Sequence, residues 1–445
     1  MAVAPTDLEL LQQLTAFLPD SSPFVYVPDG WGLRMMRARE EARRGVRLAS
    51  AAIISDSIGA QGQGASQQRV TAMPSLIQTD IQQKWGNGGS GFLSHEYSAK
   101  TGVWTTGDCT FAGTGVVATA AATMIWTGIE GTQVRIFHRN ANITGSFRWR
   151  IDGGGFTTVT PPTDFGLEPG NVNITGLADI AHTVEVQWVS GNVIIHGVKG
   201  TRATGVVLDR IGQSGRAASN YAPMLLEHIP GLGTTNASTA LTSSGAGSFR
   251  PYMVGKYLSG NGIPLDATIT AVASASAATL SVNATATGTI TADLLFNPPS
   301  AAGCAGTTHD PAFATGLGRH DLVIFMLGAN DPAGTDFTPA TWLEGANRWI
   351  TQYTTNTLSA YGYTPDFIFV IEHFGNWFDV RSIKTSIAAA VPSLAAGVGA
   401  AVVDVWGMGR RNYKYWNDLG YFADAIHPTD PGHRIYAQRV LSLIP

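Results

Sequence analysis

The sequence predicts an α/β protein: a parallel sheet flanked by helices and interrupted by two β-rich insertions. Three observations carry this. Short apolar runs at Leu48–Ile54, Leu322–Leu327, Phe367–Ile371 and Ala400–Val403 have the continuous hydrophobicity of strands buried on both faces, and helical spacing follows most of them. Between Gly102 and Lys199 the pattern changes to short segments of period two, separated by glycine turns such as Asp152-Gly-Gly-Gly155 and Ser190-Gly-Asn192. From Thr234 to Phe296, Thr and Ser alternate with aliphatic residues, which suits a second, smaller β module.

In chain order, Asp7 to Leu18 places Leu8, Leu10, Leu11, Leu14 and Leu18 on or near one face of a short amphipathic helix. Trp31 to Ala42 suggests a second helix or an arm, and the mixed charges of Arg34–Arg44 suit a solvated face. After the strand at Leu48–Ile54 comes a serine-bearing turn at Ser57. A helix then runs to Trp85, with Met73, Leu76, Ile77 and Ile81 at helical spacing and Pro74 marking its first turn. Strand, turn and helix in that order open a doubly wound domain. The period-two segments Gln133–His138, Ser146–Ile151, Thr183–Val189 and Val193–Val198 predict a β-sandwich. The α/β pattern returns at Gly205–Ile211, with a helix expected over Asn220 to His228, and resumes for good at Asp321. Further helices are expected over Thr341–Leu358 and Ser382–Val391. The expected division is a helical arm over 1–45, α/β parts over 46–100, 201–233 and 299–445, a β-sandwich over 101–200 and a small β module over 234–298.

Composition excludes several classes. With 445 residues, 44% of them hydrophobic and 13% charged, the chain can bury a large core and is not generally disordered. The net charge of −4 and the absence of a Lys/Arg run give no electrostatic footprint for nucleic acid. No apolar run approaches a membrane span, and Met1–Asp7 shows no secretory signal. The two cysteines, Cys109 and Cys304, cannot form a metal site by themselves; they could pair or remain thiols. Metal-ligand spacing, a phosphate loop and a dinucleotide fingerprint are all missing, so no cofactor is expected.

The chemistry gathers around Phe422-Ala-Asp424-Ala-Ile-His427-Pro428. An acid and an imidazole stand three residues apart, ahead of a helix beginning near Asp430. Alone, this could be a surface loop with Asp430 as helix N-cap. Three other polar or turn residues also fall after α/β strands: Ser57 after Ile53-Ile54, Gly215 after the strand ending at Ile211, and Asn330 in Gly328-Ala-Asn330-Asp331. Each alone fits a turn or a cap. In an open α/β sheet all four positions open on the crevice beyond the C-terminal strand ends, where ligands bind. His373 and Asn376 follow another strand and could line the same rim. His433, within the last helix, reads as structural, and Asp56 as a turn-stabilising carboxylate.

Taken together, these blocks resemble the SGNH (GDSL) hydrolase family. Ser55-Asp56-Ser57 matches the first block, Gly212-Gln-Ser-Gly215 the second, Gly328-Ala-Asn330-Asp331 the third, and Asp424-Ala-Ile-His427-Pro428 the last. Ser55 stands where the family has glycine. The resemblance covers the α/β parts, about half of the chain, and implies a flavodoxin-like, SGNH-hydrolase-like sheet. It makes Ser57 the nucleophile, His427 the base and Asp424 the acid that orients it. It places the oxyanion donors on the Ser57 and Gly215 backbone and the Asn330 side chain.

The segments Asp152-Gly-Gly and His182–Val186 resemble jelly-roll modules that accompany SGNH carbohydrate esterases. Val254–Pro264 and Ala267–Val272 resemble a module of bacteriophage tail proteins. What the resemblance implies is an esterase removing short acyl groups, O-acetyl above all, from a bacterial cell-surface polysaccharide as part of a phage tail. The expected partners are the acylated glycan, other tail proteins and further copies of the chain, and the expected location is the virion or the extracellular space. The competing readings are a lipase or thioesterase of the same fold, for which no long apolar lid is seen, and a virion receptor-binding protein without catalysis.

Overall fold

The computed structural model describes residues 25–106, 116–139, 145–161, 169–212, 225–243, 249–250, 253–264, 267–295, 316–326, 339–372, 395, 397, 399–408, 413–424 and 426–444. Its central sheet comprises β1 (Val25–Tyr26), β2 (Leu48–Ser55), β3 (Gly205–Gly212), β4 (Leu322–Met326), β5 (Asp366–Ile371) and β6 (Ala401–Asp404), in the order β1-β6-β5-β4-β2-β3. Strands β2 to β6 are parallel, and β1 closes the edge of β6 antiparallel, pairing Val25 with Val403.

Both faces are covered, which explains the unbroken apolar runs. Side chains alternate along a strand. Ala49, Ala51 and Ile53 therefore enter one core with α1 (Leu33–Arg43), α2 (Met73–Trp85) and α4 (Asp430–Leu441), through Met35, Ile77, Ile81, Tyr436 and Val440. Ala52 and Ile54 enter the other core with α3 (Pro339–Tyr361), where Trp349 stacks on Tyr353 at 5.0 Å between ring centroids. Pro74 sits in the first turn of α2, where its missing N–H costs nothing.

The segment before β2 is not an arm. Met35, Met36, Ala38 and Ala42 of α1 are buried, Trp31 donates its indole N–H to the Phe367 carbonyl, and the Met35 amide donates to Asp366. One arginine of that mixed-charge stretch serves as an anchor: Arg34 reaches the fully buried Asp321 at 3.1 Å, joined there by Arg47, just past the stretch, at 2.8 Å.

Between α2 and β3 the chain forms two antiparallel sheets around one core of Trp126, Ile136, Phe147, Val186 and Ile195. This packing starts earlier than residue 101, because Gly91–Ser94 already pairs with Val193–Thr201. Between β3 and β4 lies a third antiparallel sheet with its own core of Leu232, Leu258, Ile269 and Leu294. The helix expected over Asn220–His228 is contradicted from Leu225 onward. Leu225–Thr234 is a strand paired with Gly288–Leu295, and it opens this sheet ahead of the expected residue 234. The helices expected over Asp7–Leu18 and Ser382–Val391, together with Cys109 and Cys304, lie outside the described residues.

A buried ionic joint ties the sandwich to the central sheet. Asp209 of β3 accepts hydrogen bonds from Lys199 Nζ at 2.5 Å, His320 Nε2 at 2.7 Å and the Phe92 amide at 2.8 Å. Lys199 also donates to the Leu317 carbonyl, and His320 Nδ1 meets the Tyr353 hydroxyl at 2.6 Å. Each polar partner is fully or nearly fully buried, so the joint holds only because its hydrogen bonds are matched.

Candidate active site

Strand β2 ends at Ser55, and the chain turns through one π-helical turn, Ser57–Gln61. Two side chains shape that turn. Asp56 Oδ1 accepts the Ile58 amide at 2.9 Å, as expected of a turn-stabilising carboxylate, and Ser55 Oγ accepts the Gly59 amide at 3.0 Å. Ser55 thus has a defined use where the resemblance has glycine. The turn carries Ser57 to the C-terminal end of the sheet, beside the topological switch between β2 and its neighbours β3 and β4.

The other two members come from one tight loop. Phe422 bridges Pro428, and the Ala423 amide donates to the His427 carbonyl at 2.8 Å. Inside this closure Asp424 Oδ1 accepts the amides of Ile426 and His427, each at 2.7 Å, while Oδ2 lies 2.7 Å from His427 Nδ1. His427 Nε2 lies 3.0 Å from Ser57 Oγ. Burial pushes the Asp424 carboxyl up, but the hydrogen bonds from the His427 amide and ring and the Ile426 amide outweigh it and hold the group below its usual range. An ionised Asp424 keeps the proton on Nδ1, which leaves Nε2 as an acceptor for the Ser57 proton. Ser57 is 3% exposed, whereas the Asp424 side chain is 56% exposed, so this acid works in partial contact with water.

Asp430 and His433, on the helix after the loop, lock the two halves together. Helix α4 begins at Asp430 with Thr429 as N-cap, so Asp430 is not the cap. Its carboxylate instead holds the segment after the nucleophile, accepting from the Ser66 amide at 2.8 Å, Ser66 Oγ at 2.5 Å and Thr71 Oγ1 at 2.7 Å. One turn further on the same face, His433 donates from Nε2 to the Gln63 carbonyl at 2.9 Å, and Nδ1 accepts the Met73 amide at 3.3 Å. Burial pushes His433 down to about 4, against the usual 6.5, so it stays neutral in this role. Gly64, at φ +88°, lies against the base: a Cβ there would sit 2.3 Å from the Pro428 carbonyl oxygen and 2.9 Å from His427 Cβ. The i, i+3 spacing of Asp430 and His433 was the available signal, since it puts both on one helix face.

Gly215, Asn330, His373 and Asn376 lie outside the described residues, so the geometry places Ser57, His427 and Asp424 together and does not bear on the other four. Among the described residues there is no cluster of His, Cys, Asp and Glu able to hold a metal, and no helix long and apolar enough to cross a membrane.

Residues 267–435 match the GDSL-like Lipase/Acylhydrolase family. The chain is similar in structure to a protein solved under the description "Peptidoglycan O-acetylesterase in action", with a TM-score of 0.50 at 12% identity over 92% of this chain and 94% of that one. A family two carbohydrate esterase from Cellvibrio japonicus aligns with a TM-score of 0.24 at 11% identity, over 80% of this chain and 96% of that one. One from Clostridium thermocellum in complex with cellohexaose aligns with a TM-score of 0.26 at 11% identity, over 78% and 98%. No curated protein matches the chain. The family match and the first structural likeness give the α/β part an SGNH hydrolase fold. With Ser57, His427 and Asp424 in line at the end of its sheet, the chain is a serine ester hydrolase.

Proposed function

We propose that the protein removes short acyl groups, chiefly O-acetyl, from hydroxyls of a bacterial cell-surface polysaccharide. The observation that carries the reading is the continuous path from Ser57 Oγ through His427 to Asp424 at the open end of the sheet. Ser57 attacks the ester carbonyl as His427 Nε2 takes its proton; Asp424 steadies the imidazolium that forms. The tetrahedral intermediate collapses, the sugar hydroxyl leaves with the proton from His427, and acetyl stays on Ser57. Water, deprotonated by the same ring, then attacks the acyl-enzyme and releases acetate. The oxyanion is assigned to the Ser57 amide and, by the family resemblance, to the Gly215 amide and the Asn330 side chain.

The likeness to a peptidoglycan O-acetylesterase, which spans nearly the whole of both chains, supports a glycan substrate and draws the sandwich into the reading. Acetylated peptidoglycan and acetylated capsule-type polysaccharide are the first substrates to offer. Acetate release from each, compared with the same polymer after alkaline deacetylation, tests the proposal. Release by the wild type and none by Ser57→Ala supports it. Cleavage of long fatty-acyl p-nitrophenyl esters in preference to acetyl and butyryl esters overturns it in favour of a lipase.

The resemblance of Val254–Val272 to phage tail modules extends the proposal to a tail-borne enzyme acting outside the host cell, in contact with other tail proteins and with further copies of the chain. Detection of the chain in purified virions tests that extension. Its presence only in the soluble lysate overturns it.

A further inference from the structure

A cavity of about 170 Å³ lies between α2 and the sandwich, apart from the catalytic loop. Gln78 and Thr79 line it from α2, Ser90 and Glu130 from the sandwich side, and Arg69 and Arg210 bring two guanidinium groups. Arg210 is 5% exposed. It donates to Gln78 Oε1 at 2.9 Å and reaches the Tyr97 hydroxyl at 3.5 Å, while its Nε–H has no acceptor among the described residues. Arg69 spends its N–H groups on neutral carbonyls, those of Thr127 and Gly128. Neither arginine makes an ion pair among the described residues, because the one acid on the wall, Glu130, is turned to Arg202 and Asn87. Arg69 is exposed, but Arg210 is a buried guanidinium without a counter-charge, which is costly, and a bound anion would relieve the cost.

We infer that this cavity is a binding subsite for the carboxylate of an acidic sugar. A guanidinium fork binds a carboxylate through two parallel hydrogen bonds, as it does a phosphate, and the carbohydrate-ester reading selects the carboxylate of a sugar acid. The amide and hydroxyl walls match sugar hydroxyls, and the volume falls below the roughly 300 Å³ at which drug-sized sites begin, so it suits one ring and not a chain. Arg210 pairs in register with Ile53, four residues before the nucleophile, so the cavity and the catalytic turn are built on neighbouring strands. The sugar part of the inference rests on the carbohydrate-ester reading; the anion part rests on Arg69 and Arg210 alone.

The test is calorimetric titration of the full chain carrying Ser57→Ala with glucuronate, glucose and inorganic phosphate. Glucuronate should bind at one site, glucose and phosphate weakly or not at all. Arg69→Gln or Arg210→Gln should weaken glucuronate roughly 10- to 100-fold, as loss of a charge-assisted hydrogen bond implies. Thr79→Trp, at the exposed rim, should block binding with both charges in place, which keeps the inference open to refutation should Arg210→Gln not fold. No glucuronate binding, or binding indifferent to Arg69→Gln and Thr79→Trp, overturns it. Phosphate binding as tight as glucuronate reduces the cavity to a general anion site and overturns the sugar assignment. Because no turnover is measured, these results stand apart from the acetate-release assay: either proposal can fail alone.

Discussion

Two aspartate–histidine pairs of the same length do opposite things in this protein. Asp424 and His427 meet at 2.7 Å beyond the strand ends, and so do Asp209 and His320 inside the joint between the central sheet and the sandwich. The far nitrogen of each ring meets a hydroxyl: Ser57 at 3.0 Å in one case, Tyr353 at 2.6 Å in the other. Surroundings make the difference. Asp209 is fully buried, and burial pushes its carboxyl up, but Lys199 and then His320 hold it far below its usual range. Burial pushes His320 down and drives the Tyr353 hydroxyl well above its usual value, and with all three side chains sealed from solvent no substrate can reach the pair. Ser57 instead sits on a turn at the C-terminal end of the sheet, and its Asp is open to water on one side. A third pair, His182 with Asp152 in the sandwich, is closed off by the Ala178 carbonyl on its other nitrogen. The dyad is a common structural device; its third partner and its access decide whether it reacts.

That contrast breaks most sharply at the nucleophile. Ser57→Ala should lower hydrolysis of p-nitrophenyl acetate by roughly 10⁴- to 10⁶-fold, with the melting temperature held, because only the reacting atom is lost. Next comes Asp424→Asn, expected to lower kcat by about 10²- to 10⁴-fold; the exposed side chain of this acid puts the effect below that of Ser57→Ala. In the joint the same kind of change should act on stability instead. Asp209→Ala leaves Lys199 buried without its counter-charge and should cost roughly 3–5 kcal/mol, read as a lower midpoint in urea, with kcat of the folded fraction little changed. A kinetic effect at Asp209 larger than at Asp424 would reverse the assignment of roles.

Smaller effects sharpen the comparison between the ring that reacts and the ring that braces it. His433 has its folded value lowered to about 4, so between 6.5 and 4 the unfolded chain binds a proton that the folded chain does not. The stability it contributes is complete above about 6.5, is lost as pH falls toward 4, and amounts to at most about 3 kcal/mol. His433→Gln should flatten that part of the stability–pH curve; an unchanged slope would place the acid sensitivity elsewhere. Gly64→Ala should lower kcat by roughly 10- to 100-fold, since the added methyl displaces Pro428 and with it His427. Its effect on the binding of a non-hydrolysed ester analogue should be small.

The sequence made the parallel strands readable because a strand buried on both faces needs one unbroken apolar run. The same chain hid Leu225–Thr234: Pro230 lies within it, and two register shifts against Gly288–Leu295 interrupt the alternation that marks a strand. Helix α1 was obscured by its mixed charges, because Arg34 meets its partner Asp321 far along the chain. At the site, Ser57, Asp424 and His427 were legible because their short blocks resemble those of the SGNH hydrolases, and the fold brings the three side chains together. Asp430, His433 and Gly64 were not, since each acts on a segment some 360 residues away and only the folded chain shows what it touches.

Everything above turns on Ser57 being the hydroxyl made nucleophilic by His427. Treatment with a fluorophosphonate ester, followed by peptide mass spectrometry, tests it most directly. Stoichiometric modification of Ser57 is expected, with loss of activity in step with labelling and no labelling of Ser57 in a His427→Ala variant. Labelling of a different residue in step with inactivation, or equal labelling of Ser57 without His427, would contradict it.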